Sequence, residues 1–313
     1  MELRTLGATG LRVSAIGFGG SPLGNEFGNV TDEDGVRAVH EAIDCGINFF
    51  DVSPYYGRTL AESRLGQALQ GKREKVIVAT KCGRYEKDGF DFSAGRVRTS
   101  IDESLRRLRT DYVDLFQAHD IEFGDGNQIE SETIPALREV QKSGKARYIG
   151  ITSYQLGMMA RIASTIPVDT FLSYCRFNLL IGDMDRLLTP TAEGKHMGLI
   201  NASPLHMGLL GEAPIPAWHP APQSVRHAAA QVRQLCRRHN LNPAHVALRY
   251  CLQHPYVATT LVGVTSAEQV RTNLQALDLQ LEQTLLDEIE ALVRPAKDIV
   301  WPSGRPENQD YAG

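Results

Sequence analysis

Short apolar runs alternate with longer stretches of helical period from one end of the chain to the other. The strand-like runs are Ala15–Phe18, Asn48–Asp51, Val76–Lys81, Tyr112–His119, Tyr148–Ile151, Thr170–Tyr174, Gly198–Ala202 and Thr259–Val262. They are mostly apolar over their whole length, as strands covered on both faces must be. Between them the spacing becomes helical, as over Asp32–Ala42, Ala94–Leu108, Thr133–Lys142, Pro222–His239 and Ala267–Leu277. The first of these shows the boundary chemistry. Thr31 offers a hydroxyl cap, Asp32, Glu33 and Asp34 put negative charge at the positive end of the helix, and Gly46 follows the last turn. Eight strand–helix alternations in succession predict parallel βα units and hence an α/β fold, a (β/α)8 TIM barrel. Ahead of the first unit, Glu2–Thr5 and Leu11–Ser14 flank the turn LGATG and predict an N-terminal β-hairpin that closes the barrel bottom. No linker interrupts the pattern, so residues 1–313 are expected to form a single barrel domain.

Chemistry-bearing residues sit where the strands run out. Asp51 and Tyr56 lie in FFDVSPYYG, Lys81 in VIVATKCG and His119 in VDLFQAHD, at or just past the C-terminal ends of strands two, three and four. A barrel brings those ends together at one face. Any one of the four alone is better explained as a cap, a packed ring, a snorkelling lysine or a satisfied core histidine; together they predict a proton-transfer site. Lys81 is expected to stabilise a Tyr56 phenolate and pull its pKa down from about 10 toward neutrality. Asp51 would hold the Lys81 charge, and His119 would hydrogen-bond the reacting oxygen.

The loops add a second theme. Loops after strands seven and eight, with helix N-termini behind them, are the usual phosphate site of this barrel. That places a pyrophosphate near Ser203, Leu205 and Gly263, in ASPLHMGLL and LVGVTSAEQVRTNL. The cluster GFGGSPLG after the first strand does not run straight into a helix, so a dinucleotide fingerprint is not met. The proline-rich stretch 211–223 is long enough for a functional loop, and the polar tail WPSGRPENQDYAG is expected to lie partly over the mouth.

Charge and cysteine content narrow the partners. A formal net charge of -4 with no long basic run argues against nucleic acid and anionic membranes. Neither a secretory leader nor a membrane-length apolar run is present, which predicts a cytoplasmic protein. The five cysteines are scattered without a CxxC pair, and no HExxH or H-x-H pattern occurs, so neither a disulfide framework nor a metal site is expected. Cys82, next to Lys81, is reactive only if it shares the face of that ammonium. A small neutral molecule is the expected partner, and the chain is expected to be a monomer or small homo-oligomer.

In order and spacing, Asp51, Tyr56, Lys81 and His119 resemble the catalytic tetrad of the aldo-keto reductase family, and the likeness extends over nearly the whole chain. KCGRY, HDIEFG, SETIPAL, ASPLHMGLL, WHPAP and WPSG further resemble the sugar-oxidising branch of that family. The resemblance implies oxidation of the anomeric hydroxyl of an aldose to a lactone, most simply L-galactose. L-Fucose or a D-threo-aldose is the alternative substrate, and NADPH-dependent aldehyde reduction the alternative reaction. A barrel kept only to bind nucleotide is a third reading, disfavoured by the intact tetrad. Ser153 matches the family's contact to the nicotinamide carboxamide, while Tyr154 stands where an asparagine is usual. The expected cofactor contacts are Gly20, Asp51, Ser153, Ser173, Ser203, Leu205, Gly208, Gly263, Thr265, Gln269 and Asn273. The last phosphate loop carries no lysine or arginine, and Arg271 should point away, so NAD is expected over NADP. The sugar is expected against Tyr56, His119, Tyr85, Asp120, Glu122, Trp218 and Trp301, an aromatic and acidic wall suited to a polyol.

Overall fold

The computed structural model describes residues Met1–Asp310; the last three residues of the predicted tail, 311–313, lie outside the described residues. An antiparallel hairpin, β1 (Leu3–Thr5) and β2 (Arg12–Ser14), precedes eight parallel strands. These are β3 (Ile16–Gly19), β4 (Phe49–Asp51), β5 (Ile77–Cys82), β6 (Val113–Ala118), β7 (Ala146–Thr152), β8 (Thr170–Tyr174), β9 (Gly198–Ala202) and β10 (Thr259–Gly263). Each pairs with the next, and β10 pairs with β3, closing the barrel. The closure leaves the barrel sheet without an edge strand.

Sequence boundaries and observed ones agree closely because caps, not only periodicity, set them. Thr31 accepts a hydrogen bond from Asp34 N at the start of the helix Asp32–Asp44, and Gly46 takes φ 86° beyond its end. Ser93 caps the helix Ala94–Leu108 in the same way.

One face of each strand fills the barrel and the other meets the helices. Phe49, Ala79, Leu115, Leu172, Ile200 and Leu261 form the interior layer, and Leu6, Leu11 and Val13 of the hairpin region plug it from below. A Cβ on Gly17 would lie 2.6 Å from Leu261 Cδ2, so this interior position on β3 has no room for a side chain. Cys82 points the other way, into the packing between strands and helices, where burial raises its thiol pKa. It is not an activated thiolate, because the strand alternation puts it opposite Lys81.

The tail is strapped to the C-terminal face. Arg305 N donates to Glu122 O at 2.9 Å, and Asn308 Nδ2 donates to the carbonyls of Glu122 and Gly124. Asp310 then accepts from Leu156 N and Gly157 N, the start of the helix Leu156–Thr165, and from the buried Arg176 at 2.9 Å. A carboxylate at a helix N-terminus facing a buried guanidinium is a strong anchor.

Candidate functional site

The four predicted residues meet at the C-terminal mouth. Lys81 Nζ, fully buried, donates to Asp51, to Val52 O at 2.9 Å and to the Tyr56 hydroxyl at 3.4 Å. The second Asp51 oxygen accepts from Gln117 Nε2 at 3.1 Å. Tyr56 is held by a close backbone contact: Gly57, at φ 61°, faces Gly24 so closely that a Cβ on either would fall about 2.5 Å from the other loop. Only glycine permits that approach. The Tyr56 ring sits edge-on to His119, with ring centres 5.7 Å apart.

Electrostatics correct one expectation. Burial pushes the Tyr56 hydroxyl up to about 12, and the Lys81 charge only partly offsets it. The phenol is therefore neutral at pH 7 before any ligand binds, not poised near neutrality. Burial opposes the Lys81 charge too, but Asp51 and Tyr56 outweigh it, and the ammonium stays protonated. His119 is held neutral by burial, down to about 3. Its Nδ1 lies 3.0 Å from Ser53 Oγ and its Nε2 3.7 Å from Asp120.

Beside this group stands an ion pair the sequence did not reveal. Arg84 NH1 donates to Asp120 at 2.5 Å, and its guanidinium lies 3.9 Å over the Tyr55 ring. Asp120 adopts φ 52°, with its amide held by Thr152 Oγ1 at 3.0 Å. A non-glycine residue in that region carries about 1 kcal/mol or more of strain, held in place by the surrounding contacts.

Three of the predicted sugar contacts are built into supporting structure instead. The Tyr85 hydroxyl accepts from Gly83 N, and its ring packs under Arg96 of the helix Ala94–Leu108, away from the mouth. Glu122 is fully buried and accepts from Ser153 Oγ at 2.7 Å, Tyr154 N and Ser303 Oγ, its pKa raised to about 7 chiefly by burial. Trp301 stacks on the buried Tyr154 with ring centres 4.6 Å apart. Trp218 is 56% exposed on the proline-rich loop and meets Phe27 of the loop after β3.

On β7 and β8 the predicted cofactor residues are one position out of phase. The interior side chains are Thr152 on β7, by alternation from Gly150, and Tyr174 on β8, by alternation from Leu172. Ser153 and Ser173 are fully buried on the outer side: the Ser153 hydroxyl donates to Glu122, and Ser173 donates to Ser153 O at 2.8 Å. Neither hydroxyl opens to the mouth. The inward phase of Thr152 and Tyr174 shows only once the neighbouring strands are in place, and nothing in single-sequence composition marked Arg84 or Tyr55.

The far side of the mouth is backbone and loop. Ser203, His206, Met207 and Gly208 all take positive φ in the segment after β9, with Leu205 between them. Ser266 caps the helix Ala267–Leu274, and Gln269 Oε1 accepts from Thr265 N at 2.7 Å. Gly263 is exposed at the end of β10, and Gly20 packs against Asp51 O and Val52. Asn273 Nδ2 is buried with no hydrogen-bond partner among the described residues, a donor left for a ligand. A helix start at the end of β10 together with that orphaned donor fits a nucleotide. Among the described residues no cluster of three or more His, Cys, Asp or Glu is placed to hold a metal ion, and no helix is long and apolar enough to cross a membrane.

Residues 15–294 match the model of the aldo/keto reductase family. The chain belongs to that family. It is 49% identical to L-galactose dehydrogenase of Arabidopsis thaliana, over 98% of this chain and 99% of that one. It is 27% identical to D-threo-aldose 1-dehydrogenase of a Pseudomonas species, covering 90% of this chain and 94% of the other. Among solved structures, it is similar to aldo-keto reductase AKR11C1 from Bacillus halodurans in its holo form. The TM-score is 0.82 at 29% identity, covering 97% of this chain and 99% of that one. The protein is therefore an oxidoreductase of a family that uses nicotinamide cofactors.

Proposed function

We propose that the protein oxidises the anomeric hydroxyl of an aldose to a lactone with NAD, L-galactose being the first substrate to try. The observation that carries the reading is the buried Lys81–Asp51 pair set against Tyr56 and His119 at the barrel mouth. The high identity to a sugar dehydrogenase supports the substrate class.

An oxidised nicotinamide, when bound, would supply the hydride acceptor and a positive charge. Tyr56 receives the hydroxyl proton, and the ammonium 3.4 Å away stabilises the phenolate from which it acts. Lys81 is kept charged by Asp51, which Gln117 orients. His119, neutral by burial, hydrogen-bonds the sugar oxygen as charge develops on it. Asp120, Arg84, Tyr174 and Trp218 offer acceptors, donors and an apolar face for a polyol around that oxygen. Gly263, Thr265, Gln269 and Asn273 would hold the adenosine end, with Ser203, Leu205 and Gly208 along the pyrophosphate. NAD is favoured because Arg271 is engaged with Glu41 at 2.9 Å and the exposed first turn of that helix carries Glu268, not a cation.

Tyr56→Phe tests the reading. Turnover of L-galactose with NAD should fall by roughly 10²-fold or more while NAD binding by calorimetry stays near wild type. Near-normal turnover removes Tyr56 from the reaction. Initial rates over L-galactose, L-fucose and D-arabinose with each nucleotide decide substrate and cofactor.

A further inference from the structure

The turn VSPYYG places a hydroxyl behind the imidazole, a contact that has no part in the proton transfer itself. Ser53 is fully buried and its Oγ lies 3.0 Å from His119 Nδ1. The same oxygen accepts from Tyr55 N at 3.1 Å. With that lone pair occupied, the hydroxyl proton has one hydrogen-bonding partner among the described residues, the Nδ1 lone pair.

We propose that Ser53 is a positioning residue that fixes His119 as the tautomer protonated on Nε2, so that the imidazole presents a donor, not a lone pair, to the substrate oxygen. The inference rests on the catalytic reading above for its consequence, but not for the tautomer itself. In a neutral imidazole the nitrogen that accepts leaves the other to carry the hydrogen. The opposite edge of the ring agrees: Nε2 faces the Asp120 carboxylate at 3.7 Å, which attracts an N–H and repels a lone pair. The reverse tautomer would set a nitrogen lone pair against both that carboxylate and the sugar oxygen. Tyr55 and Tyr56 stand edge-on to the ring at 6.1 and 5.7 Å and hinder its reversal.

Nitrogen NMR of the ligand-free enzyme, labelled on histidine, reads the tautomer directly, with the His119 signals assigned by their loss in His119→Gln. Wild type should show one neutral form protonated at Nε2. Ser53→Ala should show a mixture or the reverse form, with kcat/KM for the sugar down about tenfold, the worth of one misplaced donor, and the NAD dissociation constant unchanged. Ser53→Thr, which keeps the hydroxyl, should restore both. A wild-type His119 protonated at Nδ1 overturns the proposal. So does an Ala variant that loses activity with its tautomer unchanged, which would make Ser53 only a turn support, or one that changes tautomer without losing activity. If instead Tyr56→Phe and His119→Gln both keep turnover, the catalytic reading has failed and the tautomer measurement still stands by itself.

Discussion

The two sides of the barrel mouth are built from different materials. On the side of β4 to β6, charged and titratable side chains are buried at strand ends, each with a named partner: Lys81 on Asp51, Asp51 on Gln117, His119 on Ser53. On the side of β9 and β10 the chain offers glycines, a run of positive φ angles and a capped helix start, whose Arg271 is turned away to Glu41. Side chains fixed by a closed sheet can hold proton-transfer geometry, whereas loop amides can wrap a long, polar, mostly invariant nucleotide. Under the proposed function, chemistry falls to the first side and cofactor binding to the second.

The largest break in this picture should come from Lys81→Met. It removes the ammonium beside Tyr56 and strands a buried carboxylate, so unfolding free energy should fall by about 3–5 kcal/mol and turnover by roughly 10²-fold or more. Adding Asp51→Asn should return most of the stability, measured by urea denaturation, but none of the turnover. Recovery of turnover in the double variant would mean the charge is structural.

Glu122 lies between the two sides and should govern a pH dependence. Its pKa rises from 4.5 to about 7 on folding, so the folded state binds the proton more tightly. The associated stability is therefore complete below pH 4.5 and is lost as pH rises through about 7. Relative to Glu122→Gln, which cannot titrate, wild-type stability should drop by on the order of 3 kcal/mol across that window. Parallel pH curves for the two proteins would show that Glu122 is ionised throughout.

A smaller effect separates the two phases of β8. Tyr174→Phe should raise KM for the sugar or for NAD several-fold, about 1 kcal/mol for one hydrogen bond, while Ser173→Ala leaves both KM values unchanged. The reverse result would put the outer face of the strand in contact with ligand. Smallest of all, Gln269→Arg should shift preference toward NADP by about 1 kcal/mol, read from the ratio of kcat/KM for the two nucleotides. The same substitution at Val264 is not a substitute test, because Val264 is buried.

How much of this was legible beforehand follows the same division. Asp51, Lys81 and His119 could be read because each terminates an apolar run, and a barrel fixes where such ends meet. Ser153 and Ser173 misled because an apolar run entirely buried on both faces carries no alternation to set its phase; Gly150 and Leu172 show it only once the neighbouring strands are in place. The Tyr56 pKa went astray for an energetic reason: a charge 3.4 Å away can be named from sequence, but the burial that outweighs it cannot. Tyr85 and Arg84 are adjacent in KCGRY, and only the turn after β5 decides which of them faces the mouth.

The strap of residues 301–310 also bears on how the protein is born. Glu122 and the start of the helix Leu156–Thr165 leave the ribosome long before Arg305, Asn308 and Asp310, the groups that cover them. Barrel closure waits on β10 for the same reason. During synthesis a buried carboxylate, an open helix end and the Arg176 guanidinium therefore lack these partners until residues 305–310 have been made, and the ordered wall beneath the mouth sets after the strands it covers.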